Sequence, residues 1–269
     1  MPQRIDYAVD PLLTEIAKSF ANKDFIADSI FPRVTVPDIY GKYYVYDKSG
    51  FRIEKDLRTG KARANRVGYG MSLDSYGPLL EHSLEQGIED DEKKFMGEEK
   101  ARDNATRNVT AKVMLNHEKM VADKLSDTSV VTQNETLSGT SQFSDYNNSD
   151  PLGKIAVALD TIDATAINAG SRKVIFMGYQ VWSVLRNHPD LRDMLGIANN
   201  RTPITPAQAA TFFEVDEIII GNAKYDTANE GQTSSLSYVW GKNLWVAALA
   251  SPANGGFQLD QINPGYTLQ

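Results

Sequence analysis

Residues 42–66 most constrain the fold, because this stretch is strand-like and yet has few side chains that could join a core. It holds eight basic and three acidic residues, a balance of +5 in a chain whose formal net charge is −7. We call it the basic stretch. A two-stranded hairpin alone is at best marginally stable in water. The basic stretch therefore either packs against a partner or forms a solvated loop.

The charge inverts soon afterwards. Residues 81–103, the acidic stretch, hold nine acidic and four basic residues, a balance of −5. The basic stretch either folds back onto this segment of its own chain or reaches the acidic stretch of a neighbouring copy. The excursion is predicted to be two-stranded and to run from about residue 38 to residue 88, with residues 66–88 as its returning extended side. This length favours the neighbouring copy as the partner.

Composition narrows the class of protein. A chain of 269 residues that is 41% hydrophobic and 23% charged suits one large or two small globular domains. Its negative net charge argues against a nucleic-acid-binding protein. The absence of cysteine excludes disulfides, thiolate metal sites and thiol catalysis. No apolar run has the length of a membrane span, and the start lacks a signal peptide, so we expect a cytosolic product.

The first half of the chain is predicted to hold two helices around the excursion. Residues 10–23 fit a short amphipathic helix capped by Asp10, and residues 24–41 are predicted to be extended because Pro32 and Pro37 interrupt a helix. Residues 43–47 and 51–54 are strand-like and flank a turn. Residues 98–125 give the strongest helix, roughly 42 Å long at 1.5 Å per residue. One stripe of this helix recurs every fourth residue, at Ala101, Ala105, Val109, Val113, His117, Val121 and Leu125.

The second half mixes helices and strands in clusters. A long helix is predicted from Pro151 to residue 169, with Asp150 as its cap and Gly170 at its end. The remaining predictions are strands at 173–178, 216–225, 236–241 and 244–251 and short helices at 179–187, 190–196 and 205–213. This order predicts an α+β fold rather than a regular βαβ repeat.

The sequence contains few patterns that are typical of catalytic sites. His117 lies on the apolar stripe, and Val121 stands where a zinc-binding HExxH helix needs its second histidine, so a hydrogen-bonded core histidine is expected. The His-Pro-Asp run at 188–190 fits a helix break followed by a new cap. No nucleotide-binding glycine loop or GxSxG motif occurs. We expect no enzyme, cofactor or metal; a hydrolase using Asp or Glu would need a deep pocket with paired carboxylates.

The order of several stretches resembles a known family. The extended lead "FIADSIFPRVTV" is followed by the charged "KYYVYDKSGFRI", the acidic stretch and the long helix. Then come "LSGTSQFSDYNNSDPLGKI", "KVIFMGYQVWSVLRNHPDL", "FFEVDEIIIGNAKY" and "VWGKN". Over about residues 20–245 this order resembles the major capsid protein of tailed bacteriophages, with the Hong Kong 97-type fold.

The resemblance implies a division of the chain. It implies an α+β Hong Kong 97-type fold with an N-terminal arm at 1–37, an extended loop at 38–88, a peripheral domain with a spine helix at 89–129, an axial domain at 130–255, and a shortened C-terminal segment at 256–269 that returns to the peripheral domain. The extended loop would lie over a neighbouring subunit. The expected interface residues are Tyr43, Tyr44, Tyr46, Phe51, Arg52, Ile53, Lys55 and Arg58 on the loop, and Glu85, Glu89, Asp90, Asp91 and Glu92 on the acidic acceptor.

The implied function is structural. Copies would form hexamers and pentamers of an icosahedral head enclosing double-stranded DNA, which they would contact non-specifically. Scaffolding, portal or decoration proteins would be separate chains, and the shell would assemble in the host cytoplasm and end as the virion capsid. The alternative is an encapsulin-like compartment shell of the same fold.

Overall fold

The computed structural model describes residues 24–46, 52–58, 60, 63–68, 70–165, 171–196, 203–229, 231–250 and 263–269, with the backbone alone at 46 and 165. Its helices are α1 (Ala27–Ile30), α2 (Asp90–Met96), α3 (Glu98–Ser126), α4 (Pro151–Thr165), α5 (Tyr179–Leu185), α6 (Pro189–Met194) and α7 (Pro206–Phe212), with a 3-10 turn at Gly139–Ser141. Its strands are β1 (Arg33–Val34), β2 (Gly41–Tyr46), β3 (Met71–Tyr76), β4 (Arg172–Gly178), β5 (Glu217–Gly221), β6 (Lys224–Asp226), β7 (Leu236–Tyr238), β8 (Leu244–Leu249) and β9 (Thr267–Leu268). The α+β prediction is confirmed.

Helix α3 is the longest element, with 29 residues and a length of roughly 44 Å. Gly97, at φ 88°, separates it from α2. Glu98 and Glu99 stand at the positive end of its dipole and Lys124 at the negative end, where each charge is stabilising. The predicted stripe is buried at its two ends, at Ala101, Ala105, Val121 and Leu125, and half-buried between them.

Strand β4 is the centre of a three-stranded sheet. It pairs in parallel with β5 and antiparallel with β8. Residues from Val174 onward are buried on both faces, which is why this strand is a continuous apolar run rather than an alternating one. The predicted strand at 173–178 is confirmed.

The two faces of β4 belong to two different cores. Ile175 and Met177 join helices α4 to α7 in one cluster, whereas Val174 and Phe176 join α1, α3 and Trp240 in the other. This division follows from the period of two in a strand. The sheet thus holds the short helices on one side and the long helix on the other.

Two helices of the second half are capped by side chains that precede them, and the sequence predicts the cap at Asp150. Asp150 accepts the backbone N–H of Gly153 at 2.8 Å, and Thr205 forms a reciprocal capping box with Gln208 at the start of α7. His188 precedes Pro189 at the start of α6, so the His-Pro-Asp run does break and restart the helix. The predicted end of α4 at Gly170 lies outside the described residues, as does the predicted helix at 10–23.

A buried carboxylate joins the N-terminal residues to α3. Glu118 is 1% exposed and accepts the backbone N–H of Ile26 at 2.8 Å, that of Ala27 at 2.9 Å, and the indole N–H of Trp240 at 2.6 Å. Burial raises the pKa of Glu118. The hydrogen bonds from the three donors lower it, but burial is the larger effect. The extended conformation predicted for residues 24–41 is wrong at α1, because Glu118 accepts the first free N–H groups of that short helix.

His117 makes a second junction beside the first. Its Nε2 lies 3.2 Å from the hydroxyl of Thr267, whose own proton goes to the carbonyl of Phe31 at 3.3 Å. The imidazole is therefore the donor, with its proton on Nε2. His117 thus connects α3 to β9, which pairs in parallel with β1. The predicted hydrogen bond of His117 is confirmed, although its side chain is partly buried and belongs to neither core cluster.

Candidate assembly surface

Residues 38–88, the extended loop, are built on an antiparallel hairpin of β2 and β3. The register pairs Gly41 with Tyr76 and Tyr46 with Met71, so 24 residues separate the paired ends of the hairpin. The prediction that residues 51–54 form a strand is wrong for 52–54, which the structure shows without strand pairing. Residues 41–46 pair with 71–76 instead. The six residues 71–76 have the alternating pattern of a strand, whereas 52–54 are too few to form one.

One face of this hairpin is apolar and exposed. Tyr44 pairs with Leu73, so these side chains share a face with Met71, and their exposed fractions are 47%, 59% and 47%. Lys42 and Ser75 lie on the same face near the base. We call Tyr44, Met71 and Leu73 the apolar face. Its exposure gives a hydrophobic surface without a covering segment among the described residues.

The opposite face makes contacts within the hairpin. The Tyr43 hydroxyl donates to Asp74 at 3.2 Å, and partial burial, then Asp74, raise the pKa of Tyr43. The Tyr76 ring crosses over Gly41, where an added Cβ would lie 2.3 Å from a ring carbon. Tyr43 and Tyr76 are consequently half-buried by their own hairpin, while Ser72 and Val45 are exposed.

Beyond the hairpin, the described residues of the basic stretch are exposed to solvent. Arg52, Lys55 and Arg58 are exposed, and none forms an ion pair within the part of the chain that the structure describes. Ile53 is fully exposed, and Leu57 is 88% exposed. A side-chain amide of Asn65 donates to the carbonyl of Lys55 at 2.8 Å and so links the two sides of the loop.

The acidic stretch contains helix α2, which the sequence reading missed. None of its residues is buried, and Phe95 is 89% exposed. Lys93 lies 2.9 Å from Asp90 and Lys94 lies 3.5 Å from Asp91. The hydrogen bond and charge of Lys93 lower the pKa of Asp90. Two of the predicted acceptors therefore already have a local cation on the same helix.

The other predicted acceptors have no such partner among the described ion pairs. Glu85, Glu89 and Glu92 are exposed and take part in none of them. The amide of Asn108 on α3 donates to Gln86 at 2.7 Å, which holds the segment before α2 along the long helix. The acidic stretch is thus a charged, partly apolar surface on one side of α3.

The structure brings the hairpin residues together but not the two charged stretches. Tyr43 and Tyr44 lie on opposite faces of β2, and Tyr46 ends the strand opposite Met71. Phe51 lies outside the described residues. Within the described residues, no ion pair joins the basic stretch to the acidic stretch.

Three exposed apolar residues were missed by the sequence reading. Met71 and Leu73 were not singled out because residues 66–88 were interpreted only as the returning extended side of the excursion, although the alternation of "MSLDSY" is a strand signal. Phe95 escaped notice because the acidic stretch was considered only for its charge. An isolated phenylalanine directly after Lys93 and Lys94 was the available signal.

A serine, a histidine and an aspartate do meet in the second half of the chain. His188 Nε2 lies 3.1 Å from the Ser149 hydroxyl, and Nδ1 lies 3.6 Å from Asp190. However, the hydroxyl donates to the carbonyl of Asp145 at 2.7 Å, and His188 is fully buried. A nucleophilic serine must be accessible and must give its proton to the histidine. Here the histidine donates instead, so the contact joins the connector at 127–150 to α6.

The searches for a metal site and a membrane span give no further candidate. Across the described ranges, no three His, Cys, Asp or Glu side chains cluster as metal ligands. No helix in the described part of the chain combines the length and apolarity of a membrane span.

Comparisons with known proteins place these features in context. The chain is 32% identical to the major capsid protein of Burkholderia phage BcepMu over 270 residues, covering 97% of this chain and 83% of that protein. It is 29% identical to the major capsid protein of Pseudomonas phage JBD67, covering 93% of this chain and 81% of that protein. No family model matches.

A solved structure supports the fold. The crystal structure of a phage-related protein from Bordetella bronchiseptica RB50 superposes with a TM-score of 0.68 at 21% identity, covering 94% of this chain and 81% of that one.

Proposed function

Because this chain belongs to the family of phage major capsid proteins, we propose that it builds the icosahedral head shell of a tailed phage and that its extended loop joins neighbouring copies. The protein forms a capsid shell, and its place is the virion capsid. The shell encloses double-stranded DNA in this proposal. The subunits form hexamers and pentamers, as the Hong Kong 97-type resemblance implies.

The observation that carries this proposal is that the extended loop exposes several apolar side chains to solvent. Ile53, Leu57 and Leu73 are all more than half exposed. Isolated hydrophobic residues are common on protein surfaces, but a long excursion that exposes several of them together marks an interaction site. In a shell of identical copies, the neighbouring subunit is available to cover them.

Charge supports the same partner. The basic stretch carries +5 and the acidic stretch −5, and most of their described residues are exposed. Exposed ion pairs contribute only about 0.2–1 kcal/mol each, so charge sets the register of neighbouring copies and apolar contact supplies most of the affinity. We assign Arg52, Lys55 and Arg58 to the loop side, and Glu85, Glu89 and Glu92 to the acceptor side.

The division of the chain follows the same proposal. Residues 1–37 serve as the N-terminal arm, 38–88 as the extended loop and 89–129 as the peripheral domain with α3 as its spine. Residues 130–255 form the axial domain, and 256–269 return to the peripheral domain. The contact of Thr267 with His117 on α3 supports the last assignment.

The proposal gives the chain no catalytic role. Both curated relatives are named as capsid proteins, and the buried Ser149–His188 contact has the polarity of a structural hydrogen bond. The relatives give no support to an encapsulin-like compartment. Scaffolding, portal and decoration proteins would be separate chains, DNA would be contacted non-specifically, and assembly would take place in the host cytoplasm.

Charge reversal tests the proposal. We expect the triple variant Arg52→Glu, Lys55→Glu and Arg58→Glu to keep the melting temperature of the isolated subunit, because these side chains have no ion pair there. Particle formation, measured by sedimentation and electron microscopy, should fall sharply. Adding Glu85→Lys and Glu92→Lys should restore part of it by reversing both sides of the contact.

Two outcomes would overturn the proposal. Normal particles from the triple variant would show that the basic stretch is not an assembly contact. An equal loss of subunit stability and assembly would show that the basic stretch packs within its own subunit.

A further inference from the structure

The hairpin has two chemically different faces, and only one of them suits burial. We propose that the extended loop docks through its apolar face of Tyr44, Met71 and Leu73, and that this face covers the apolar residues Leu84 and Phe95 of a second copy's acidic stretch. This inference rests on the proposed function, since it specifies how the loop binds a neighbour. It names a surface and a partner for the contact.

The register of the hairpin determines which residues act together. Tyr44 is directly opposite Leu73, and Tyr46 is opposite Met71, so Tyr44, Leu73 and Met71 project from the same side of a twisted two-stranded ribbon. Each of these three side chains is about half exposed in the subunit. A shift of one residue would turn the set to the other side, and the six paired positions prevent that shift.

The side chains on the opposite face already contact one another within the hairpin. Tyr43 is bonded to Asp74, and Tyr76 packs over Gly41. Covering this face would require Asp74 to lose water while it gains no new partner, which is unfavourable. The two faces therefore differ in the cost of burial as well as in apolar area.

The acceptor surface has matching chemistry. Phe95 is 89% exposed and Leu84 is 47% exposed, and both belong to the acidic stretch. Lys42 lies on the side of the apolar face, and the basic stretch continues beyond its outer end. An apolar centre with opposite charges around it is the common arrangement of a specific protein interface.

A second copy is the occupant that fits this chemistry. The basic and acidic stretches carry equal and opposite charges, and both belong to one sequence. Each copy therefore offers one loop and one acceptor. Such a head-to-tail contact between different surfaces produces closed rings when the rotation closes. A contact of this kind suits the rings of subunits in a capsid shell.

Neighbouring residues on opposite faces of β3 provide a matched test. Leu73→Glu places a charge on the apolar face, whereas Ser72→Glu places the same charge one residue away on the opposite face. We expect Leu73→Glu to raise the protein concentration needed for particle assembly at least tenfold, and Ser72→Glu to change it less than threefold. Both variants should keep the melting temperature of the isolated subunit, because both positions are exposed.

The absence of cysteine allows a second, direct test. In the double variant Leu73→Cys and Phe95→Cys, we expect a short bismaleimide to link different subunits of assembled particles into ladders on a denaturing gel. The matched double variant Ser72→Cys and Phe95→Cys should link far less. Mixing the two single-cysteine chains before assembly would show that the link joins two copies.

The outcomes separate this inference from the proposed function. Equal effects of Leu73→Glu and Ser72→Glu, or equal cross-linking of the two cysteine pairs, would overturn the assigned face. If the charge-reversal variant still failed to assemble in that case, the loop would remain an assembly contact with a different docking side. Cross-links confined to single chains would overturn both.

Discussion

Strands β4 and β2 are of similar length, seven and six residues, yet their surroundings are opposite. From Val174 onward β4 is buried on both faces, by short helices on one side and by α3 on the other. Among the described residues, strand β2 pairs only with β3, which is exposed or half-exposed along its whole length. Strand β4 packs into the core of its own subunit, whereas β2 packs against no core among the described residues.

This difference shows where each region gains its stability. The sheet around β4 is held by the apolar area that the chain buries against itself. A lone hairpin cannot gain enough from its own contacts. We therefore assign the missing contacts of the extended loop to the next copy, so that the loop becomes fully stable only in the shell.

The largest expected effect lies at Glu118, in the region that is stable alone. Glu118→Ala removes the acceptor of three N–H groups, from Ile26, Ala27 and Trp240. Because each buried donor left without an acceptor costs about 1–3 kcal/mol, we expect the free energy of unfolding to fall by about 3 kcal/mol or more. Urea unfolding followed by tryptophan fluorescence would measure this change.

Tyr44→Ala on the extended loop is the matched control. Tyr44 is 47% exposed and belongs to a hairpin without a core, so its loss should change the free energy of unfolding of the subunit by less than about 0.5 kcal/mol. A loss at Tyr44 comparable with that at Glu118 would erase the contrast between the two regions.

A change of pH is expected to have an intermediate effect on the stability of the subunit. The group that titrates is His117, at the junction between the N-terminal residues and α3. Burial lowers the pKa of His117 from the ordinary value of 6.5, and Arg33 and His82 lower it further, whereas Asp28 opposes them. A histidine with a lowered pKa contributes full stability above its unfolded pKa and loses it as pH falls through the folded pKa. The subunit should therefore lose stability as pH falls below about 6.5.

His117→Gln tests this assignment, because its amide nitrogen can replace Nε2 as a donor to Thr267 without titrating. The variant should lose less stability than the natural chain between pH 7 and pH 5, measured by urea unfolding at each pH. Identical slopes for the two chains would show that His117 does not carry the effect. NMR titration of the imidazole would locate the proton directly.

The smallest expected effect lies within the hairpin, at the contact between Tyr43 and Asp74. Tyr43→Phe removes one exposed hydrogen bond of 3.2 Å, so the unfolding free energy of the subunit should change by about 0.5 kcal/mol or less. Particle assembly should also be nearly unchanged, because Tyr43 lies on the side that we assign to solvent. A strong assembly defect in Tyr43→Phe, measured by sedimentation, would place the docking surface on the opposite face.

Local chemistry explains which parts of the fold were predictable. The long helix α3 follows from its sequence because acidic residues precede it and an apolar stripe recurs along it. The caps at Asp150 and Thr205 follow from side chains that bond within three residues. The buried strand β4 follows from its continuous apolar run. In each case the deciding interactions are near in sequence or depend on a simple period.

The features that the sequence did not reveal depend on distant contacts. Glu118 appears in the sequence as one more charge on a long helix, and only the fold brings Ile26 and Trp240 to it, at separations of 92 and 122 residues. Helix α1 escaped prediction for the same reason. The two-stranded excursion at 38–88 was predicted, but its register was not, because 24 residues separate the paired ends of β2 and β3.

The central claim is that the extended loop finds its binding surface on another copy, and electron cryomicroscopy of assembled particles tests it most directly. The account predicts density for residues 38–88 across the adjacent subunit, with the apolar face of Tyr44, Met71 and Leu73 against the acidic stretch of that subunit. A map in which the loop folds onto its own subunit and touches no second copy would contradict the account.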